Sequence, residues 1–514
     1  MSPILTTKRA FLAVVFLGLF AMTARNITDP DIWWHLKTGE YIAVHKSVPH
    51  TDPFSYTRAG QPWIAHEWLS ELLLFELERS IRFGGLILVF SAILCATFFF
   101  LYLRCGPAPY IAGVLTLFGA WATAPVWGVR PQILSLLFTS LWLFLLERSE
   151  RNPKLLWWTL PLTLLWVNLH AGFALGLALS ALFLLGEWIE NKLAHRSQQN
   201  LRHAAFILLL DLLIVPLNPN GLRMFSYPFE TLRSPAIQNY IAEWASPNFH
   251  RPEYWLFLLI ILCTFATLTW SRLQLGPRDL LLLLVSLYAS LCSIRMIPLF
   301  ILIAVPLIAR RVENWPRTSP QSHRNPASRT LLNAVIVFSM VIFASVRITQ
   351  VIHRRPQAEA QQFPAGAVAY LQSHPSSGPI FNHYDWGGYL IWNLYPSTPV
   401  FIDGRADLYE ELLLHDFAEL YQFRGPWQQI LQRWHIQTVI VPPDSALATG
   451  LRNSPNWTIS YQDSQAEILT DFQRCEKSPP LKRASAPEDN EPLSVPPSPS
   501  SPSSYLGMQE STPL

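Results

Sequence analysis

Eleven separate apolar runs set the first constraint on this chain. They lie near residues 8–24, 84–103, 109–123, 131–147, 155–169, 171–188, 204–217, 253–270, 279–293, 297–310 and 331–347. Bilayer hydrocarbon offers no water to an exposed backbone, so a chain crosses it as helices of about 20 mostly apolar residues. Several runs are shorter, and neighbouring pairs among them suit re-entrant segments or help from flanking residues. The first follows Lys8 and Arg9 and lacks a small-residue cleavage site, which predicts an uncleaved anchor rather than a signal peptide. Charged residues make up 14% of the chain, against about 25% in a soluble domain. That deficit, with 20 Trp and 30 Phe, excludes an ordinary cytosolic enzyme, a disordered chain and a disulfide scaffold. The expected fold class is a polytopic α-helical membrane protein of about 11 transmembrane helices with a small C-terminal extracytoplasmic α/β domain.

Lys and Arg in the short loops orient such a chain. One set of loops carries Arg148, Arg151 and Lys154, then Lys192, Arg196 and Arg202, then Arg272 and Arg278, and finally Arg310, Arg311, Arg317, Arg324 and Arg329. The alternate set holds Arg130 and Arg295 as isolated cases. The N-terminus is therefore expected in the cytoplasm and the C-terminal region on the opposite face, although His353-Arg354-Arg355 after the last run points mildly the other way. A net charge of +3 with no basic stripe excludes nucleic acid as a partner. Cys95, Cys105, Cys263, Cys292 and Cys475 show neither disulfide pairing nor metal-ligand spacing.

This topology divides the chain into a transmembrane domain at 1–348, with a first external loop at 25–83, an extracytoplasmic α/β domain at 349–472, and a Pro/Ser-rich tail at 473–514. The tail cannot bury a core and is expected to be disordered. Within the α/β domain, 363–374 and 427–434 read as helices, and Val400-Phe401-Ile402 and Thr438–Val441 as buried strands. Trp457–Leu469 reads as a hairpin.

Chemistry is expected on the external side. Asp29 and Asp31 follow the first span in Asp29-Pro30-Asp31-Ile32-Trp33-Trp34-His35, and the loop closes with Trp63 and His66-Glu67-Trp68. Two carboxylates there suit a base facing a lipid-borne substrate. The plainer reading has them cap a helix from Ile32, with the tryptophans as an interfacial belt. Ionisable residues at membrane depth usually face a cavity or a partner. Arg130, Arg295 and His170, with Asn168 beside it, are therefore candidate substrate ligands, and Arg suits phosphate; snorkelling to the interface is the alternative. In Phe401-Ile402-Asp403-Gly404-Arg405-Ala406-Asp407, charges at a strand's end suit ligand binding. Alternatively Asp403 and Arg405 rigidify a turn and Asp407 caps a helix from Leu408. Tyr384-Asp385-Trp386-Gly387-Gly388 offers Asp385 and Trp386 as binding residues, or a tight turn at the glycines. Glu243 could join Asp29 and Asp31 in holding Mg²⁺ or Mn²⁺, which prefer oxygen ligands.

The first span followed by Asp29-Pro30 through His35 and a Gly39-Glu40-Tyr41-Ile42 helix resembles the GT-C superfamily of membrane glycosyltransferases. It is locally similar to the Asp-Pro-Trp-Phe-Asn-Tyr-Arg motif of the oligosaccharyltransferase catalytic subunit, with His35 where Arg is expected. Tyr384-Asp385-Trp386-Gly387 is similar to that enzyme's Trp-Trp-Asp-Tyr-Gly motif, with one aromatic before the Asp instead of two. A looser resemblance, to bacterial multi-pass glycosyltransferase-like proteins, covers the chain to about residue 470. It rests on Trp34-His35-Leu36, His66-Glu67-Trp68-Leu69 and the 385–409 region. The resemblance implies transfer of a sugar from a polyprenyl-phosphate-linked donor to a glycan, lipid or protein acceptor at the external face of a bacterial inner membrane. Asp29 or Asp31 would be the base, His35 and Glu67 orienting groups, and Arg130 or Arg295 the phosphate clamp. A non-catalytic or polymer-ligase-type protein binding the glycan or lipid carrier is the alternative, and a transporter a weaker one, since no paired interrupted half-helices are visible.

Overall fold

The computed structural model describes residues 5–195, 198–233, 241–271, 273–313, 326–376, 378–409 and 411–471. The tail at 473–514, with Cys475, lies outside them, as do Arg196, Arg272, Arg317 and Arg324. Each apolar run falls on a helix: α1 (Thr7–Thr23), α3 (Trp68–Arg104), α4 (Pro109–Ala122), α5 (Gln132–Ser149), α6 (Thr159–Leu169), α7 (Phe173–Leu193), α8 (Gln199–Ile214), α10 (Trp255–Trp270), α11 (Pro277–Cys292), α12 (Ile297–Glu313) and α13 (Pro326–Gln362). Between them lie α2 (Ile32–His45) and α9 (Arg223–Arg233). Among the described residues, four helices are long and apolar enough to cross a membrane: Trp68–Arg104, Phe173–Leu193, Pro252–Trp270 and Arg329–Gln362. Many of the others are shorter than the 18 residues this needs, so the expected count of about 11 crossings does not follow from helix length. Arg82, at φ 58°, breaks α3 into an amphipathic first part and an apolar second part.

Polar groups inside the helical body bond locally, as an environment without water demands. Ser91 Oγ donates to Ile87 O (2.7 Å) and Ser140 Oγ, on α5, to Thr97 O (2.7 Å), on α3. At one end of the body, Glu147 accepts from Arg104 (2.8 Å) and Arg310 (2.7 Å), joining α3, α5 and α12. The loops containing Asp29, Arg130, His170, Glu243 and Arg295 leave the helices at the other end.

The C-terminal segment continues with α14 (Ala365–Ser373), β1 (Ile380–Asn382), α15 (Gly387–Leu394), α16 (Glu411–Tyr421), α17 (Trp427–Arg433), β2 (Thr438–Val441), α18 (Ala446–Arg452), β3 (Trp457–Gln462) and β4 (Glu467–Asp471). The strands form one sheet in the order β1-β2-β4-β3, with β1 parallel to β2 and the other pairs antiparallel. Val400–Ile402 is no strand of this sheet. Its backbone is satisfied instead by the Asn382 side chain, which accepts from Phe401 N (2.9 Å) and donates to Ile402 O (2.8 Å), and by the loop before α3. There Tyr56 N donates to Val400 O (3.1 Å) and Thr57 Oγ1 to Phe401 O (2.6 Å). Gly387 and Gly388 open α15 rather than forming a tight turn. No helix starts at Leu408.

That same loop is fastened to the C-terminal segment by a buried charge cluster. The guanidinium of Arg405, 1% exposed, binds Asp403 through Nε (2.8 Å) and Nη2 (2.7 Å) and Asp52 through Nη1 (2.7 Å). Tyr409 OH completes Asp403 (2.6 Å). Trp33 is fully enclosed by Phe83, Phe363 and Tyr389, with ring centroids 4.9–5.5 Å away. Trp33 and Trp34 are therefore core residues, not an interfacial belt.

Candidate active site

A cavity of about 1000 Å³ opens where the loop after α1, the α4–α5 and α6–α7 turns, the 241–245 and 294–296 segments and the 384–407 region meet. Asp29, Asp31, His35, Glu67, Arg130, His170, Glu243, Arg295, Asp385 and Asp407 all border it. The structure thus brings together residues more than 350 positions apart.

Asp31 occupies the cap position of α2, but its side chain does not cap the helix. It accepts instead from Trp34 Nε1 (3.1 Å), while Asp29 Oδ1 accepts from the Asp31 backbone N–H (3.0 Å). Arg130 lies between three carboxylates. Its Nε is 3.0 Å from Asp29, its Nη1 is 3.9 Å from Asp31, and its Nη2 contacts Glu243. Arg130 is thus ion-paired rather than snorkelling. Arg130 is the one cation in contact with Asp29, Asp31 and Glu243 among the described residues. Burial, followed by the neighbouring Asp29 carboxylate, pushes Asp31 well above the usual carboxylate range against the pull of Arg130. Burial also raises Asp29, with Arg130 opposing it. Asp31 is the looser of the two, with 26% of its side chain exposed against 10% for Asp29. Gly404 makes this packing possible, since a Cβ there would fall 1.8 Å from Asp31 Oδ1.

A second cluster adjoins the first. His66 Nε2 (3.1 Å) and His170 Nε2 (3.3 Å) both face Glu67 Oε1, and His35 Nδ1 stands 3.5 Å from Glu67 Oε2 and 3.4 Å from Glu71 Oε1. Burial lowers His35 to about 4 and His170 to about 3, so both are neutral. Although burial works against their charges, Glu67 raises His66 and His66 lowers Glu67, which makes this pair the ion pair of the cluster. Tyr227 packs against His66 at a tilt (ring centroids 4.4 Å) and donates to Asp407 Oδ2 (2.9 Å), so Asp407 closes the cavity instead of capping a helix.

Arg295 lies over the Trp244 ring (5.7 Å) and Arg25 over Trp127 (4.9 Å). Among the described residues neither forms an ion pair with a carboxylate. Trp386 and Asp403 do not border the cavity. Trp386 donates to Gln362 O (3.1 Å), and Asp403 is consumed by the Arg405 cluster. Arg405 reaches the cavity edge at a turn that its buried side chain rigidifies. Asn168 is structural, accepting from Trp68 Nε1 (2.9 Å) and donating to Leu217 O (3.1 Å). Sequence reasoning missed Arg25, Glu71, Tyr227 and Tyr384. Glu71 was the findable one, four residues after Glu67 and so on the same helix face.

An apolar groove of about 700 Å³ continues from the cavity between α7, α11 and α12, sharing Leu175, Ala178, Trp244 and Met296 with it.

No protein-family model matches the sequence, and no curated protein matches it. Solved structures do resemble the fold. The archaeal oligosaccharyltransferase AglB from Archaeoglobus fulgidus, in complex with an inhibitory peptide and a dolichol-phosphate, aligns at TM-score 0.52 and 11% identity over 84% of this chain and 69% of AglB. ArnT from Cupriavidus metallidurans bound to undecaprenyl phosphate aligns at TM-score 0.49 and 10% identity, covering 90% of this chain and 98% of ArnT. The arabinofuranosyltransferase AftD from Mycobacteria aligns at 0.47 and 15%, covering 91% and 40%. The match to AglB shows the fold: over 84% of its length this chain folds like that membrane protein.

Proposed function

We propose that this chain is an integral membrane glycosyltransferase that moves a sugar from a polyprenyl-phosphate-linked donor to an acceptor hydroxyl on the extracytoplasmic face. One observation carries the reading. A carboxylate with a raised pKa, Asp31, shares a cavity with two arginines lacking carboxylate partners, and an apolar groove leads out of it. The groove suits a polyprenyl tail, and the dolichol-phosphate bound by AglB is a ligand of that chemistry. Arg295 and Arg25 suit the phosphate, because the guanidinium fork matches its oxygens.

In the proposed reaction the acceptor oxygen attacks the anomeric carbon as Asp31 takes the hydroxyl proton. The new glycosidic C–O bond forms as the bond from the anomeric carbon to the phosphate oxygen breaks. The electron pair leaves on the phosphate, whose charge Arg295 and Arg25 stabilise. A single displacement inverts the anomeric centre. Arg130 fixes Asp29 and Glu243 and leaves Asp31, its most distant partner, as the base. The helix ends and loops at the far end of the helical body carry Arg148, Arg151, Lys154, Arg202, Arg278, Arg310 and Arg311, which supports a cytoplasmic N-terminus; a bacterial inner membrane follows from the family resemblance alone.

The test is release of polyprenyl phosphate from a radiolabelled polyprenyl-linked sugar pool by the purified chain. Release that depends on an acceptor fraction supports transfer. Carrier binding without release under any acceptor condition overturns it in favour of a carrier-binding protein.

A further inference from the structure

The cluster formed by His35, Glu67 and Glu71 is short of positive charge. Glu67 Oε1 already has two ring nitrogens against it, His66 Nε2 in a hydrogen bond (3.1 Å) and His170 Nε2 at 3.3 Å. Gly172 N–H donates to His170 Nδ1 (2.8 Å), which places the His170 proton on Nε2, facing Glu67. His66 supplies the other donor. Glu67 Oε2 and Glu71 Oε1 are left facing a single nitrogen, His35 Nδ1, which can give a proton to only one of them. Glu71 is 1% exposed and its Oε2 has no hydrogen-bond partner. A buried carboxylate without a partner costs several kcal/mol unless something neutralises it.

The spacings point to what is missing. At 3.4 and 3.5 Å, the His35–Glu71 and His35–Glu67 contacts are long for hydrogen bonds to carboxylates. They match the edge of a tetrahedron, about 3.4 Å, around an ion with ligands at 2.0–2.1 Å. One ligand atom from each residue lies within 4.8 Å of the others. The packing holds them there, because Gly39 lets α2 approach the backbone of Glu71, where a Cβ would meet its carbonyl at 2.1 Å. His66 and His170 on the far oxygen of Glu67 are the outer partners that metal-binding carboxylates usually have.

We propose that His35 Nδ1, Glu67 Oε2 and Glu71 bind a divalent ion of the zinc class, with a fourth position open to the cavity that His35 and Glu67 border. Imidazole nitrogen and carboxylate oxygen are both zinc ligands, and an open fourth position accepts water or a ligand oxygen. The ion would give the Glu71 carboxylate the positive partner it lacks. The site is separate from the Asp29–Asp31–Glu243 group, whose cation is Arg130, and it holds whether or not the chain transfers sugar.

The full chain in detergent, stripped with a chelator and reloaded with Zn²⁺, would be passed through a desalting column and its bound metal measured by mass spectrometry. The expected result is about one zinc per chain. Glu71→Gln and His35→Ala should lose it, Asp29→Asn should keep it, and His170→Ala should weaken binding about 10–100-fold. Melting distinguishes metal loss from misfolding. With the metal, Glu71→Gln melts below the zinc-loaded wild type and is itself insensitive to chelator. Without one, the substitution removes an uncompensated charge and raises the melting temperature. A wild type that retains no zinc, or zinc lost in Asp29→Asn but kept in Glu71→Gln, would overturn the proposal.

Discussion

Replacing Arg405 by Met tests what fastens the first loop to the C-terminal segment. The side chain is closed to solvent, and its three contacts of 2.7–2.8 Å tie Asp403 to Asp52. Met fills a similar volume but leaves two buried carboxylates facing each other. Removing one member of such a buried pair costs about 3–5 kcal/mol, because the remaining charge is stranded. The two carboxylates would not suffer equally. Asp52 still accepts from Phe54 N (3.0 Å), Ser55 N (3.1 Å) and Ser55 Oγ (2.5 Å), whereas Asp403 keeps only Arg405 N (3.0 Å) and Tyr409 OH (2.6 Å). Adding Asp403→Asn should therefore recover most of the loss. Native-state proteolysis reads the opening equilibrium when closing is fast, and about 3–5 kcal/mol is roughly two to four decades of cleavage rate. Cleavage near residues 401–409 should accelerate by that much in Arg405→Met and fall back in the double variant. Wild-type protection in Arg405→Met, or no recovery on adding Asp403→Asn, would refute the clamp.

Three further outcomes follow from the site. Gly404→Ala drives a Cβ to within 1.8 Å of Asp31 Oδ1 and 3.0 Å of Trp34 Nε1. Carrier release should drop at least tenfold while the melting curve stays near wild type. Arg295→Ala should raise the Michaelis constant for the lipid-linked donor about 10–150-fold, the worth of a hydrogen bond to a charged group, with Arg295→Lys intermediate in a donor titration. The raised Asp31 also sets a pH dependence. The base works deprotonated, so the rate should fall as pH drops through a value above the ordinary carboxylate range, a limb that Asp31→Asn abolishes. The folded state holds this proton more tightly than the unfolded chain, so the Asp31 contribution to stability is greatest at low pH and is lost as pH rises through the raised value. Melting temperature against pH reports this, and Asp31→Asn should flatten that dependence.

The helical body was legible because membrane helices announce themselves by run length, and the hairpin at 457–469 because its apolar stretches flank a turn. Val400–Ile402 was misread for a physical reason. Its buried apolar triplet looks like a strand, but its partners are a side-chain amide at Asn382 and a loop more than 340 residues earlier. Asp407 shows the same limit, since the group it meets is Tyr227, 180 residues away. The site's carboxylates and arginines were visible as exceptions to an apolar background. What the sequence could not show is that Arg130 collects three acids, or that α2 delivers His35 to Glu71.

The measurement that bears most directly on the account compares Asp31→Asn and Asp29→Asn with wild type in a single-turnover carrier-release assay, with carrier binding measured on the same samples. With Asp31 as the base, Asp31→Asn should release carrier about 10²–10⁴-fold more slowly while binding it normally, and Asp29→Asn, whose role is to hold Arg130, should lose less. Release by Asp31→Asn at the wild-type rate would contradict the assignment.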